Sequence, residues 1–154
     1  MNTVAVFLAT GCYAGYAPKA PGTVGSLVGV ALAYVLTFLS WPVYAIVAIF
    51  GVATAIYVSG AAEKRFGHDG RQIVIDEIIG MVVTMAFLPS SWLSFLLGFV
   101  FFRAMDIIKI FPANWAQKLP GGIGVVADDL VAALYAHFLV RFTLMLLIGP
   151  VSET

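Results

Sequence analysis

The chain has 154 residues, of which 62% are hydrophobic and only 10% charged, with a mean hydropathy of +1.02. An average soluble domain carries roughly 25% charged residues, so this composition predicts a multi-pass membrane protein. Eight basic and eight acidic side chains cancel, which removes any global basic character that would suggest nucleic acid. The single Cys12 excludes an internal disulfide framework.

The first twelve residues, MNTVAVFLATGC, hold a short apolar run with no Lys or Arg before it. A secretory signal begins with a basic segment, so an uncleaved, membrane-associated N-terminus is expected despite the faint lipoprotein-like LATGC. No repeat or linker divides the chain, and residues 1 to 154 read as a single domain.

After Lys19 no charge appears until Glu63. A bilayer span needs about 20 residues, so this stretch is long enough for two helices. Pro42, following Ser40 and Trp41, is the expected break, with helices at about 24 to 39 and 42 to 62. The polar stretch EKRFGHDGRQ, residues 63 to 72, then connects to IVIDEIIG. Residues 78 to 102 are uncharged, but LPSSW at 88 to 92 is a turn signal inside them. Two readings stand: one span, or a hairpin with helices at about 73 to 88 and 91 to 110. The hairpin puts Lys19, Lys64, Arg65, Arg71, Arg103, Lys109 and Lys118 on one side, as the positive-inside rule favours. Pro112, Pro120, Gly121, Gly122 and Gly124 predict a loop, and a last helix is expected from about Asp128 to Gly149. The expected fold is an all-α polytopic membrane bundle of about five membrane-region helices, with its charged groups at one membrane face.

Carboxylates near hydrocarbon are costly, about 2.5 to 3.5 kcal/mol for an Asp at the centre of a membrane helix. Asp76 and Glu77 on one helix, Asp106 on the next, Asp128 and Asp129 on the last, with Glu63 nearby, would repel one another without a cation among them. Oxygen ligands without a Cys or His cluster suit a hard ion such as Mg²⁺, which binds through a few carboxylates and substrate phosphate. The competing structural reading makes Asp128 a helix N-cap and pairs Asp76 with Arg71 or Arg103. Arg103, Asp106 and Lys109 recur every three residues and form a trio on one helix surface.

PKAPGTVGS, residues 18 to 26, reads either as an ordinary turn and N-cap or as an anion-binding loop. In the second reading Gly22 and Gly25 let backbone approach a ligand, and Thr23 and Ser26 supply hydroxyls at a helix start beside Lys19. His68 reads as a solvated loop residue, with proton donation the alternative. His137 reads as a buried hydrogen-bonding residue, and Arg141 as snorkelling toward the far headgroups. Trp41, Trp92 and Trp115 read as interface anchors.

Carboxylates, a hard cation and Lys/Arg on one membrane face point to a phosphorylated lipid. The residue six positions after Cys12 is Pro18 rather than the Arg of a cysteine-nucleophile phosphatase. The chain also lacks D-x-D, the D-G-x-x-A-R core of lipid-alcohol phosphotransferases, and the Lys, Arg and His set of vanadium-peroxidase-like phosphatases.

PKAPGTVGS, IVIDEIIG, FRAMDIIK and GGIGVVADD, in this order, resemble the phosphatidylglycerophosphatase A family of bacterial inner-membrane enzymes, over about residues 11 to 140. The resemblance implies Mg²⁺-dependent hydrolysis of phosphatidylglycerophosphate to phosphatidylglycerol and phosphate by a multi-pass protein whose site faces the cytoplasm. It implies that Asp76, Glu77, Asp106, Asp128 and Asp129 belong to the metal and catalytic site, and that Lys19, Thr23, Ser26, Arg103 and Lys109 lie near the phosphate. Glu63 joins Asp76, Glu77, Asp128 and Asp129 as a candidate metal ligand. Family members usually carry Pro after the Lys of the third motif, whereas Ile110 follows Lys109 here. Water attack with Asp129 or Glu77 as base is the preferred mechanism, with a covalent aspartyl-phosphate the alternative. A cation transporter or channel, which would need carboxylates near the bilayer midplane accessible from both sides, and a non-catalytic lipid-binding scaffold are the competing functions.

Overall fold

The computed structural model describes residues 3–149. Among them are seven α-helices, a short 3-10 turn at Ala14–Tyr16 and no strand, which agrees with the all-α expectation. The helices are α1 (Thr3–Ala9), α2 (Pro21–Leu36), α3 (Trp41–Phe66), α4 (Ile75–Met85), α5 (Trp92–Ile108), α6 (Ala113–Ala116) and α7 (Gly122–Ile148). Only α3 and α7 are long and apolar enough by themselves to cross a membrane, and α2 is a shorter apolar helix of 16 residues. The structure therefore yields two candidate spans where about five were expected.

Several boundaries shift for local reasons. Helix α2 starts at Pro21, whose fixed φ and missing N–H suit a first helical turn, three residues before the expected start, so Gly22 and Thr23 are helical rather than in a preceding loop. Helix α3 continues four residues past the expected Ala62, with Lys64 and Arg65 in its last turn, and stops at Gly67, φ 84°. Cations there oppose the negative end of the helix dipole.

Helix α7 starts six residues before Asp128, with Gly121 at its N-cap position. Asp128 is thus not the cap, and Gly122 and Gly124, read as loop, are close-contact positions inside the helix. A Cβ on Gly122 would fall 1.9 Å from the carbonyl oxygen of Ile56, so only glycine lets α7 begin against α3. Neither α1 nor α6 was anticipated; with seven and four residues, both are too short to carry a clear periodic pattern.

Residues 86–91 break the 78–102 stretch, and Ser91 caps α5 by accepting the Ser94 backbone N–H at 3.1 Å. The two helices run antiparallel: Gly80 faces the Phe102 ring, while Gly98 faces the Met85 sulfur. This is the hairpin reading. The other pairings give each remaining direction. Gly25 meets Val74 and Gly29 meets Ile78 and Met81, so α2 and α4 are parallel; Gly80 lies near Asp129 O, and His137 Nδ1 donates to Thr84 O at 3.1 Å, so α4 and α7 are parallel. Helices α2, α4 and α7 therefore all start at one end of the bundle, and α3 and α5 finish there.

Helix α4 is the axis. Eight of its eleven residues are buried, and Met81, Val82 and Met85 pack with Ala33, Leu36, Phe102, Ala132, Ala133, Ala136 and Val140 from α2, α5 and α7. The surrounding helices turn large apolar side chains outward, among them Phe50, Tyr57, Phe138, Leu146 and Ile148. A bundle apolar inside and outside is what lipid contact requires. Trp41 and Trp92 open α3 and α5 at the uncharged end, Trp115 lies in α6 at the other, and all three are exposed. Arg141 reaches the Phe87 carbonyl at 3.2 Å near the uncharged end.

Candidate active site

Because three helices start and two finish at the same end, that end collects every charged side chain of the described residues except Arg141. A cleft of about 340 Å³ opens there. Its walls come from Ala20, Pro21 and Gly22 at the start of α2, Asp69, Arg71 and Ile73 in the α3–α4 connection, and Asp76 and Glu77 on α4. Arg103, Asp106 and Lys109 close it from the end of α5, and Asp128 and Asp129 from the second turn of α7.

The carboxylates divide into two kinds. Asp106 accepts from Arg103 Nη1 at 2.6 Å, and Asp128 accepts from Lys109 Nζ at 2.5 Å. Arg103 is therefore the partner of Asp106, not of Asp76. Lys109 also leaves the expected helical trio: its left-handed backbone, φ 49°, ends α5 and turns the side chain toward α7. The remaining three, Asp76, Glu77 and Asp129, each offer an oxygen, and these oxygens lie within 4.8 Å of one another. Asp76 and Asp129 are only 5% and 3% exposed. Asp76 Oδ1, Glu77 Oε2 and Asp129 Oδ2 are buried with no hydrogen-bond partner among the described residues. Buried polar oxygens in native proteins are nearly always satisfied, so three converging exceptions suit the binding of a cation. The donor set, all carboxylate oxygen, matches a hard ion such as Mg²⁺.

Glycine 22 makes this arrangement possible. A Cβ there would sit 2.3 Å from Glu77 Oε1, so any other residue would displace the carboxylate. At Gly25 the Cβ would meet that of Val74 at 2.8 Å. Both glycines, expected to admit a ligand, instead admit α4. Ser26, fully buried, donates to Gly22 O at 2.9 Å and accepts from Arg103 Nη1 at 3.4 Å. It lies behind the cleft wall and steadies Arg103 rather than facing the cavity. Thr23 and the exposed Lys19 also lie outside the lining.

Glu63 is not brought to the trio. It accepts from His68 Nδ1, while His68 Nε2 donates to the Gln117 carbonyl at 3.1 Å. Two ring nitrogens that both face acceptors favour the imidazolium. The Gln117 carbonyl, and then Glu63, raise the pKa of this exposed histidine above its ordinary value. His68 is a loop residue as expected, but one tied at both ends.

Asp69 and Arg71 line the cleft although neither was singled out as a site residue. They belong to EKRFGHDGRQ, whose polarity marked it only as a connection. The available signal was that this connection is flanked by the ends of two helices that carry carboxylates.

A family model described as Phosphatidylglycerophosphatase A matches residues 7–144. A phosphatidylglycerophosphatase A from Escherichia coli K12 is 38% identical over 138 residues, covering 88% of this chain and 80% of the relative. One from Haemophilus influenzae is 36% identical over 137 residues, covering 86% and 84%. A Bacteroides thetaiotaomicron protein, provisionally named a phosphatidylinositol-3-phosphatase, is 32% identical over 144 residues, covering 88% and 90%. No solved structure matches. The four motifs that build the cleft all fall within the matched region, and the chain belongs to the phosphatidylglycerophosphatase A family.

Proposed function

We propose that this membrane protein hydrolyses the terminal phosphomonoester of phosphatidylglycerophosphate, releasing phosphatidylglycerol and inorganic phosphate. The observation that carries this reading is the trio Asp76, Glu77 and Asp129, convergent and unsatisfied in the cleft of a chain of this family. Asp76, Glu77 and Asp129 would hold Mg²⁺. The chemistry such an ion would supply there is polarisation of phosphoryl oxygen and activation of water.

In the proposed reaction a water oxygen attacks phosphorus, the bond from phosphorus to the glycerol oxygen breaks, and that oxygen takes up the proton that the attacking water gives up through the base. Asp129 or Glu77, at the floor of the cleft, accepts the proton from the attacking water. Arg103 and Lys109 face the phosphate, where positive charge offsets the negative charge of the transition state. Asp106 and Asp128 hold those two cations in place at 2.6 and 2.5 Å. We place Asp128 and Glu63 outside the metal set, since one is committed to Lys109 and the other to His68.

The proposed setting is the bacterial inner membrane, with α2, α3, α4, α5 and α7 in the membrane region and the charged end at the cytoplasmic face. Alternating helix directions and the concentration of cations at one end support this. At 1.5 Å per residue, α4 is only about 16 Å long, against a hydrocarbon core of about 30 Å. A helix that short spans only part of the bilayer, so its N-terminal carboxylates meet a cleft rather than lipid. The same segregation of charge argues against an ion path open at both ends.

The test is phosphate release by purified protein in detergent with Mg²⁺ or EDTA, on phosphatidylglycerophosphate, phosphatidic acid and phosphatidylinositol 3-phosphate. Mg²⁺-dependent release preferring phosphatidylglycerophosphate is expected. Preference for phosphatidylinositol 3-phosphate would move the assignment toward the Bacteroides relative's name, and no release from any lipid by folded protein would refute a phosphatase.

A further inference from the structure

We infer that Arg71 reads the substrate headgroup, binding the phosphodiester that lies one glycerol away from the hydrolysed monoester. The inference rests on the phosphatase reading above and adds to it the residue that selects the substrate. Among the three cations lining the cleft, Arg103 and Lys109 are each paired with a carboxylate of the site. Arg71 has no ion pair among the described residues and is exposed at the rim.

The loop that presents it is unusually well fixed. His68 bridges Glu63 and the Gln117 carbonyl, and Asp69 accepts from Gln117 Nε2. On the other side Gln72 O lies so close to Gly15 that a Cβ there would come within 2.0 Å of it. Ile73 N donates to Gly70 O at 2.7 Å and Val74 N donates to Ala9 O at 2.9 Å. Arg71 is thus a free guanidinium on a pinned backbone, which is how a recognition residue differs from a solvated loop charge.

Phosphatidylglycerophosphate carries two phosphate groups, a terminal monoester and an internal diester. With the monoester over the carboxylate trio and its cation, the diester falls toward the cleft rim. An arginine offers a planar fork of N–H donors that fits two phosphate oxygens at once. Phosphatidic acid has the monoester and no diester, so the same contact separates the two lipids.

The experiment measures phosphate release from phosphatidylglycerophosphate by wild type, Arg71→Gln and Arg71→Lys, with inorganic phosphate as inhibitor and thermal melting in detergent as the fold control. Loss of a charge-assisted contact should raise KM about ten-fold or more in Arg71→Gln. In the same variant kcat stays within about two-fold, because the lost contact is made equally in ground and transition states. Arg71→Lys should recover part of the loss. The inhibition constant of inorganic phosphate, which occupies only the monoester position, should not change. An unchanged KM would show that Arg71 contacts nothing in the substrate. A fall in kcat or weaker phosphate inhibition would place it at the monoester, and either result overturns the inference. A melting temperature lowered in both variants would make the effect structural and overturn it as well. Wild type inactive on phosphatidylglycerophosphate would instead refute the underlying functional reading.

Discussion

Replacing Asp129 by Asn should make the metal-free protein more stable while nearly abolishing its activity. Asp129 is 3% exposed, its Oδ2 has no hydrogen-bond partner among the described residues, and oxygens of Asp76 and Glu77 lie within 4.8 Å of its own. Without a cation, three carboxylates share one poorly solvated pocket. Asparagine has the same shape, removes one negative charge and adds an N–H donor that can reach a neighbouring carboxylate. Relieving a buried unsatisfied polar group is worth about 1 to 3 kcal/mol, and more where the group is charged, and functional sites are where such trade-offs occur. For a domain of this size each kcal/mol corresponds to roughly 2 to 4 °C in Tm. Melting in detergent with EDTA should therefore show the variant above wild type by a few degrees. Adding Mg²⁺ should reverse the order, since at about 100 times Kd a ligand stabilises by about 2.7 kcal/mol and the variant has lost one ligand. A variant that melts below wild type in EDTA, together with a wild type indifferent to Mg²⁺, would refute the claim that these three carboxylates form a cation site.

Three further outcomes rest on neighbouring contacts. Lys109→Met leaves Asp128, 4% exposed, without its cation and should cost about 3 kcal/mol or more of stability; adding Asp128→Asn should recover much of it, measured as a double-mutant cycle of melting curves. Gly22→Ala places a Cβ 2.3 Å from Glu77 Oε1, so kcat should fall at least about ten-fold for a displacement near 1 Å, and an unchanged kcat would show that Glu77 is not needed where it lies. His68 has its pKa raised by the Gln117 carbonyl and Glu63. Its contribution to stability is therefore complete below about pH 6.5, the unperturbed value, and is lost as pH rises through the higher folded value. His68→Gln should flatten the pH dependence of melting in that window, and an unaltered slope would show that the histidine is not the titrating group.

Much of the architecture was legible because charge is so scarce in this chain. The long uncharged stretch after Lys19 and the turn at LPSSW mark where α2 to α5 begin and end to within a few residues. The cation pattern separated a hairpin from a single span, because a single span would have divided the cations between two sides. The glycine-rich starts of α2 and α7 were misread as loop, since glycine looks the same in sequence whether it bends a chain or admits a neighbouring helix. Gly22 and Gly122 do the second, and only the positions of Glu77 and Ile56 reveal it.

Composition and motif order by themselves determined that the chain is apolar and helical, that its carboxylates gather at one end, and that they resemble a lipid phosphatase site. These properties depend on short-range preferences and on the cost of placing charge near hydrocarbon, which act wherever the chain goes. The tertiary structure alone decided which carboxylates stand together. Asp128 and Asp129 are adjacent in sequence, yet a helix turns neighbouring side chains about 100° apart, so one meets Lys109 from α5 and the other meets Asp76 and Glu77 from α4. Arg71 likewise reaches the cleft only because loops distant in sequence hold its backbone on both sides.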